Sequence, residues 1–475
     1  MKIILARPEY SKVYGKFSFG KKLTSGESPP LGLCYIASVL ELEGHEVRII
    51  DGQAEHKSVE KVVQDVLDFE PDILGITATT PMINDAAKIT ELVKKEEKEI
   101  KTVVGGPHVT ALPIETLETF PHIDIGVLGE GERTISLVTS AIMDNHPLSN
   151  VEGIVWRHGG KVVYNPAGPM IRDLDTLPFP ARHLCNPSYY RSTSAHGEVG
   201  IFTTMESSRG CPFQCSFCYP IFGKTVRFRS AENIVDEMES VRKQFDTKII
   251  GFIDDTMTVN RKRMREFCDE VIRRGLQKEL EWGCTTRVDV IDGEMLKKMK
   301  KAGCVRINYG IESGNAGILK TILKGVTLEQ AKKAIALTNM IGIETVAYFI
   351  LGHPYETRET IRDTIDFARK LKADVAEFSI MTPFPGTELW KMIEQKRGGI
   401  KLLSKNWSEF GHYGHAVISV DNISSNDLLN YQKLAFKEYY LRPSYIISQL
   451  SKCLRRPRKT IGMMGSVLAF MKTQV

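Results

Sequence analysis

The chain has 475 residues, 42% of them hydrophobic and 25% charged, with a formal net charge of +5. This length predicts two or three domains, and the composition is typical of a globular protein with a sizeable core. No stretch approaches the roughly 20 consecutive apolar residues that a membrane-spanning helix needs. Residues 442–475 contain seven Lys and Arg and no Asp or Glu, so the rest of the chain is close to neutral. This distribution argues against a nucleic-acid-binding surface on the body of the protein.

The first residues, MKIILARPEY, contain too short an apolar run for a signal peptide and predict a first strand. We therefore expect a cytoplasmic protein, in which the nine cysteines do not build a disulfide framework. Six of the nine are scattered along the chain and are expected to be buried as small apolar side chains: Cys34, Cys185, Cys268, Cys284, Cys304 and Cys453.

Short buried strands alternate with amphipathic helices along residues 1–145, the first predicted domain. This alternation predicts an α/β fold with a doubly wound parallel sheet. Five strands favour the flavodoxin-like order, in which ligands bind beyond the carboxyl ends of the strands. The strands are read from KIILARP, VRIIDG, DILGIT, KTVVGG and DIGVLGEGE.

The sequence changes character over residues 146–197, which we interpret as a linker between domains. It contains a hairpin pattern around Gly159 and Gly160, followed by a proline-rich extended segment. Over residues 198–395 the alternation resumes with six β/α units, which predicts a partial (β/α)6 barrel with functional residues at the strand ends. Residues 396–475 are expected to form a helical, basic C-terminal region.

Three cysteines lie close together in SSRGCPFQCSFCYP, residues 207–220. A structural zinc site and a conventional iron–sulfur cluster both take four protein ligands, but no fourth ligand follows here. Three cysteines in a tight loop therefore leave one metal position free for a group that is not protein, and a [4Fe–4S] cluster with one open iron can bind a substrate or cofactor directly. Phe217 would shield this cluster from water. The alternative is a zinc ion with a distant fourth ligand, His183 or His196.

This spacing, C-x3-C-x-aromatic-C after the first strand of a β/α barrel, resembles that of the radical S-adenosylmethionine superfamily over residues 200–390. The resemblance implies that Cys211, Cys215 and Cys218 hold a [4Fe–4S] cluster. It also implies that S-adenosylmethionine chelates the open iron and is cleaved to a 5′-deoxyadenosyl radical.

The same resemblance implies contacts with S-adenosylmethionine at the ends of the later strands. A carboxylate there would pair with the methionine ammonium group, and an arginine can hold a carboxylate through two hydrogen bonds. For every one of these positions a purely structural role, such as a helix N-cap, stays open. The positions are Asp254 and Asp255 in GFIDDTM, Arg287 in TTRVD, Glu312 and Ser313 in GIESGN, and Gly352 and Pro354 in FILGHPYET.

Hydroxyl and glycine residues follow the strands of the first domain, where such folds bind ligands. Together with the cluster motif, these loops resemble the cobalamin-binding domain of cobalamin-dependent radical S-adenosylmethionine enzymes, which implies bound cobalamin. Ordinary turn chemistry remains the alternative. The residues are Thr77, Thr79 and Thr80 in ITATTP, Gly105, Gly106 and His108 in VVGGPHVT, and Gly129 and Gly131 in LGEGE.

One motif of many cobalamin domains, D-x-H-x-x-G, is absent from this sequence. His45, His56 and His108 stand in other contexts, so we expect the lower face of the corrinoid to lack an imidazole ligand. His108 is interpreted as a hydrogen-bonding residue of its loop.

The resemblance extends to radical C-methyltransferases and to anaerobic magnesium-protoporphyrin ester cyclases. A methyltransferase acting on an unactivated carbon is the leading prediction. An oxidative cyclase or rearrangement enzyme and a non-catalytic corrinoid- or metal-binding protein are the alternatives. The expected partners are a small-molecule, lipid or peptide substrate and an electron donor such as ferredoxin or flavodoxin. The basic C-terminal segment is expected to pack on the barrel or to contact an anionic membrane surface.

Overall fold

The computed structural model describes residues 1–9, 27–193 and 199–447. The predictions for Cys453, for His196 and for the chain after residue 447 lie outside these ranges. None of the described helices is both long and apolar enough to cross a bilayer.

The first domain is built on a seven-stranded sheet with the order β2-β1-β3-β4-β5-β6-β7. Strands β1 to β5 are parallel, which confirms the predicted flavodoxin-like order. Helices cover both faces of the sheet, so a central strand such as β1 is apolar and buried between its two ends, over residues 3–6. The strands are β1 Lys2–Arg7, β2 Glu46–Asp51, β3 Ile73–Thr77, β4 Lys101–Gly105, β5 Ile125–Val127, β6 Ile154–His158 and β7 Lys161–Tyr164.

Seven α-helices accompany this sheet in the described residues. The helix Val59–Phe69 is capped at both ends: the Ser58 side chain accepts from the Lys61 N–H at its start, and Glu70 ends it with φ +53°. The helices are Leu31–Leu42, Gly52–Glu55, Val59–Phe69, Ile83–Glu96, Pro107–Ala111, Pro113–Thr119 and Gly131–Met143.

The predicted hairpin is present, but it belongs to the first sheet and is not a free linker. Gly159 and Gly160 both have positive φ, as a two-residue hairpin turn requires. Strand β6 pairs antiparallel with β5, with Trp156 opposite Ile125. Without this pairing β5 would be an open sheet edge, and covering such edges prevents unwanted association.

The second sheet has the order β16-β15-β14-β13-β12-β9-β8, and its six strands from β9 to β16 are parallel. They confirm the six predicted strands of a partial barrel. The additional strand β8 comes from the predicted linker and pairs antiparallel with β9. The strands are β8 Arg191–Thr193, β9 Val199–Met205, β12 Thr247–Phe252, β13 Glu281–Thr286, β14 Cys304–Glu312, β15 Glu344–Leu351 and β16 Val375–Ile380, and a separate two-stranded ribbon joins β10 Ser208–Arg209 to β11 Arg227–Phe228.

Helices pack on the convex face of this sheet, against Trp282, Tyr309, Phe349 and Phe378, which are all fully buried. After the barrel, a second ribbon and a long helix that packs on β16 form the described part of the C-terminal region. The elements are helices Ala231–Phe245, Arg261–Arg273, Gly293–Lys301, Ala316–Thr321, Leu328–Ile341, Arg358–Leu371, Glu388–Glu394 and Ser425–Tyr440, and strands β17 Ile400–Leu402 and β18 Ile418–Val420.

The scattered cysteines that the structure describes are buried, as the sequence predicts. They are Cys34, Cys185, Cys268, Cys284 and Cys304, and none of the five is in a disulfide.

Candidate cofactor-binding site

The three clustered cysteines lie in one loop, residues 210–226, which the ribbon of β10 and β11 closes at its base. Gly210 starts the loop with φ +94°, and a Cβ there would lie 2.5 Å from the carbonyl oxygen of Thr225, so only glycine fits. The loop is anchored to the barrel because the Ser216 N–H donates to the Ile322 carbonyl at 3.0 Å. We call this segment the cluster loop.

Two cations lie beside the cysteines. The Arg287 guanidinium stacks 3.6 Å from the centre of the Phe213 ring, and its Nη1 lies 3.9 Å from Cys215 Sγ. Burial raises the pKa of the Cys215 thiol, while Lys324 and Arg287 act in the opposite direction. Three free thiols in one glycine-hinged loop beside two cations suit an anionic iron–sulfur group.

The zinc alternative gains no support from His183. Its ring lies at the surface, where Nε2 is 3.0 Å from Glu41 Oε1 of the first domain. His183 is thus already engaged with another partner. The cysteine set therefore fits the predicted [4Fe–4S] cluster better than zinc with this histidine.

The two aspartates after β12 have different surroundings. Asp254 is buried and accepts hydrogen bonds from the backbone and hydroxyl of Ser207 and from the Ser208 hydroxyl. Asp255 is exposed. Burial, and next to it the negative charge of Asp255, raise the pKa of the Cys218 thiol to about 12. Asp254 thus fixes the segment before the cluster loop, and Asp255 is the one placed near a cysteine.

The Arg287 side chain is largely occupied within the protein. Its Nε and Nη2 donate to the two carboxylate oxygens of Asp289 at 3.0 and 2.9 Å, and Nη2 also donates to the Lys324 carbonyl. The Nε and Nη2 donors, which could form a bidentate pair with a ligand carboxylate, are therefore already bonded to Asp289. Toward the cluster loop the guanidinium presents Nη1, beside Cys215, and its flat face, which stacks on Phe213.

The positions after β14 and β15 also carry internal contacts. Glu312 has φ +72° and forms a buried ion pair with Lys324, at 2.7 Å. Ser313 is buried, with its hydroxyl 3.0 Å from that of Thr364. Gly352 has φ +95°, and Pro354 is buried. Of these residues, Glu312 is the one whose side chain lies in the same charged group as Arg287 and Cys215.

In the first domain, His108 is enclosed by its neighbours. Its Nδ1 lies 3.3 Å from the hydroxyl of the buried Thr80, and its ring meets that of Trp407 edge-on at 5.2 Å. Burial lowers the pKa of His108 to about 4, so the ring is neutral at pH 7. This geometry suits the predicted hydrogen-bonding role within the loop, and Trp407 comes from the C-terminal region that the sequence did not connect with this site.

The glycines of these loops differ in what surrounds them. A Cβ on Gly106 would lie 2.8 Å from the Ala78 carbonyl oxygen, so packing alone requires this glycine, whereas one on Gly131 would lie 2.7 Å from Ile36 Cδ1, the end of a side chain that can move away. Gly129 has φ +66° and open space where its Cβ would be, as a backbone cradle for a ligand needs. Gly105 is loosely surrounded, Thr77 is half-buried and Thr79 is exposed.

The two sets of loops face each other. Tyr219 follows Cys218, and its hydroxyl donates to the Thr110 carbonyl at 3.4 Å. The Thr110 hydroxyl in turn accepts from the Gly129 N–H at 3.0 Å. A chain of contacts therefore joins the cluster loop to the loops after β4 and β5. Tyr219 and Thr110 were not predicted, although Tyr219 stands next to the cysteine motif.

Glu206 gives this region a pH-dependent stability. Burial raises its pKa to about 7, against the opposing effect of Arg209, so the folded state holds a proton that the unfolded chain loses near pH 4.5. The free energy of unfolding should then decrease as the pH rises from about 4.5 to 7. We expect Glu206→Gln to gain a few degrees in melting temperature over the wild type between pH 5 and pH 8. A constant difference at both values would contradict this.

Comparison with known proteins identifies the two domains. The family model of the B12 binding domain matches residues 23–139, and that of the Radical SAM superfamily matches residues 205–368. An uncharacterized methyltransferase of Pyrococcus horikoshii is 34% identical over 452 residues, which is 95% of either chain. The anaerobic magnesium-protoporphyrin IX monomethyl ester cyclase of Rubrivivax gelatinosus is 30% identical over 481 residues, covering all of this chain and 83% of the cyclase.

Solved structures share the fold at low sequence identity. The radical S-adenosylmethionine methyltransferase TsrM from Kitasatospora setae, with cobalamin and a [4Fe–4S] cluster bound, superimposes with a TM-score of 0.71 at 18% identity, over 93% of this chain and 89% of TsrM. The cobalamin-dependent enzyme OxsB gives the same TM-score at 19% identity, over 98% of this chain and 72% of OxsB. The cysteine loop, the order of the two domains and the full-length relatives together confirm the resemblance: the chain belongs to the family of radical S-adenosylmethionine enzymes that carry a B12-binding domain.

Proposed function

We propose that the protein is a radical C-methyltransferase. When bound, S-adenosylmethionine on a [4Fe–4S] cluster supplies a 5′-deoxyadenosyl radical that takes hydrogen from an unactivated carbon, and the corrinoid supplies the methyl group. The observation that supports this most directly is the contact chain from Tyr219 through Thr110 to Gly129, which brings the two cofactor loops together. A single substrate carbon between them could be reached from both sides.

In this proposal the three cysteines hold the cluster, and Asp255 pairs with the methionine ammonium group. Arg287 contributes its Nη1 charge beside Cys215, and the backbone at Gly352 and Pro354 borders the adenine. Asp254 and Ser313 support these loops from behind. On the other side, Thr77, Thr79, Gly105 and Gly129 line the corrinoid, while Thr80, Gly106, His108 and Gly131 hold the loops in shape.

The concave face of the barrel favours a substrate with polar groups. Tyr348 and Glu377 are neighbours across β15 and β16 and alternate with the convex-facing Phe349 and Phe378, so both point into the concave side. Burial raises the pKa of Glu377, and the Tyr413 hydroxyl donates to it at 2.8 Å. The buried Asn308 Oδ1 has no hydrogen-bond partner among the described residues. These groups suit a small molecule or peptide with hydrogen-bonding groups better than a plain hydrocarbon lipid.

The second candidate is an oxidative cyclase or rearrangement enzyme. It is favoured by the 30% identity to the Rubrivivax gelatinosus cyclase along the whole of this chain. Such a reaction needs hydrogen abstraction but no transfer of a methyl group. The fate of the methyl group of S-adenosylmethionine therefore separates the two candidates.

The test uses the full chain, purified and reconstituted without oxygen and supplied with cobalamin. Reduction by flavodoxin or a chemical reductant, with methyl-deuterated S-adenosylmethionine, should yield both 5′-deoxyadenosine and deuterated methylcobalamin. 5′-Deoxyadenosine without labelled methylcobalamin would favour the cyclase. Neither product, from protein with its full iron and cobalt content, would overturn the proposal.

A further inference from the structure

Two arginines face each other at the base of the cluster loop. In the ribbon that closes the loop, Arg209 of β10 is the register partner of Arg227 of β11. Like charges directly opposite each other destabilise a strand pair. Both side chains are also largely buried, with 3% and 9% of their surface exposed. The ribbon therefore needs negative charge from elsewhere to stay closed.

That charge comes from the first domain, from the loop after β5 and from the first turn of the helix Gly131–Met143 that follows it. The Glu130 carboxylate accepts from Arg209 Nη1 at 2.9 Å and from Arg227 Nη1 at 2.8 Å to each oxygen. Glu132 accepts from Arg209 Nη2 at 2.6 Å, while Glu206 of the barrel accepts from Nε at 2.6 Å. A single guanidinium thus joins three glutamate side chains from two domains.

The two glutamates stand within the LGEGE segment, beside Gly129. This segment therefore borders the proposed corrinoid site through Gly129 and binds the base of the cluster loop through Glu130 and Glu132. Buried ion pairs add little net stability, because desolvation offsets the attraction, but their directional hydrogen bonds fix one arrangement of the groups they join.

We propose that Glu130 and Glu132 are positioning residues that close the cluster loop and set its place relative to the first domain. Docking of the first domain supplies the charge that lets Arg209 and Arg227 lie side by side. The cluster loop is then fully formed only when the two domains are together. The identity of the two cofactors that are aligned in this way rests on the proposed function, whereas the charge arrangement does not.

Hydrogen–deuterium exchange on the anaerobically purified full chain tests this inference. Glu130→Gln keeps the shape of the side chain but leaves the two arginines opposed, so amides of residues 207–228 should exchange about tenfold faster than in the wild type. Glu152→Gln is the matched control. Its carboxylate pairs with Arg133 at 3.5 Å, and both side chains are more than half exposed, so its exchange should stay at the wild-type level.

A double variant separates charge repulsion from simple loss of a contact. In Glu130→Gln/Arg227→Gln only one cation remains, and protection of residues 207–228 should return toward the wild type. The inference would be overturned if the increase in exchange in the double variant equalled the sum of the increases in Glu130→Gln and in Arg227→Gln. It would also be overturned if Glu130→Gln alone had no effect on exchange. If Glu130→Gln does not fold, Glu132→Gln removes the second first-domain carboxylate from Arg209 and should speed exchange in the same segment.

This measurement needs no turnover, so its outcome is independent of the proposed reaction. Normal exchange results in a protein that forms no labelled methylcobalamin would leave the charge arrangement standing and overturn the proposed function alone. Exchange that is unchanged by Glu130→Gln, in a protein that does form labelled methylcobalamin, would overturn the inference on the charge arrangement and leave the proposed function standing.

Discussion

Replacing Cys218 by alanine is expected to remove the cluster and to lower 5′-deoxyadenosine formation by at least about a hundredfold. The three thiols of the cluster loop are the whole protein ligand set of the proposed cluster, and one iron must stay open for S-adenosylmethionine. Two thiolates would leave two irons without protein ligands and the cluster exposed to loss. Iron and sulfide content, the visible absorption spectrum and the rate of S-adenosylmethionine cleavage together measure the effect.

Cys268→Ala is the control for this experiment. Cys268 is buried in the helix Arg261–Arg273, far along the chain from the loop, and its removal leaves only a small cavity. We expect its iron content and cleavage rate to stay near the wild type. A Cys218→Ala protein with full iron and normal cleavage, or a wild-type protein that holds zinc in place of iron, would contradict the assignment of the three cysteines.

The fold was predictable because its signals are local. A strand buried on both faces is a short run of apolar residues, whereas in the helix that follows the apolar residues recur with the helical period. Each β/α unit can therefore be recognised from its own sequence. What the sequence did not reveal was which sheet the connecting segment joins. The hairpin of β6 and β7 extends the first sheet and β8 extends the second, because each covers an edge that exists only after the sheets have formed.

The site was predictable to the level of its loops but not of its hydrogen bonds. Asp254, Arg287 and Ser313 lie at the ends of barrel strands, as predicted. The side chain of each one, however, forms hydrogen bonds with neighbouring residues of the protein. Those neighbours are brought in by tertiary packing, as Thr364 is brought to Ser313 from a helix 51 residues away. No pattern in one sequence distinguishes a carboxylate that faces a ligand from one that ties down a loop.

The contacts between the domains were missed for the same reason. Glu130 and Arg209 are 79 residues apart, and the segment with Trp407 returns to the first domain only after the whole barrel has been traversed. A glutamate between two glycines at a strand end offered a signal, since a charged residue there must find a partner when it is buried. The cysteine motif indicates the loop but contains no information on the residues that pair at its base.

A second group of buried charges lies in the barrel next to the first domain, and its centre is Glu237. This residue of the helix Ala231–Phe245 has no exposed surface. One of its carboxylate oxygens lies 2.6 Å from Arg182 Nη2, the other accepts from Arg229, and Arg229 in turn lies 3.5 Å from the hydroxyl of Tyr35 in the first domain. Both guanidiniums are themselves buried, so water cannot replace the carboxylate.

Glu237→Ala is therefore expected to lower the free energy of unfolding of the barrel by about 3–5 kcal/mol, the usual cost of leaving buried charges without their partner. Glu232→Ala, at an exposed position in the first turn of the same helix, should cost less than about 1 kcal/mol. Urea unfolding followed by the fluorescence of tryptophan, including the buried Trp282, measures both. Equal small losses in the two variants would mean that Arg182 and Arg229 find other partners, and that this charge group contributes little to the stability of the barrel.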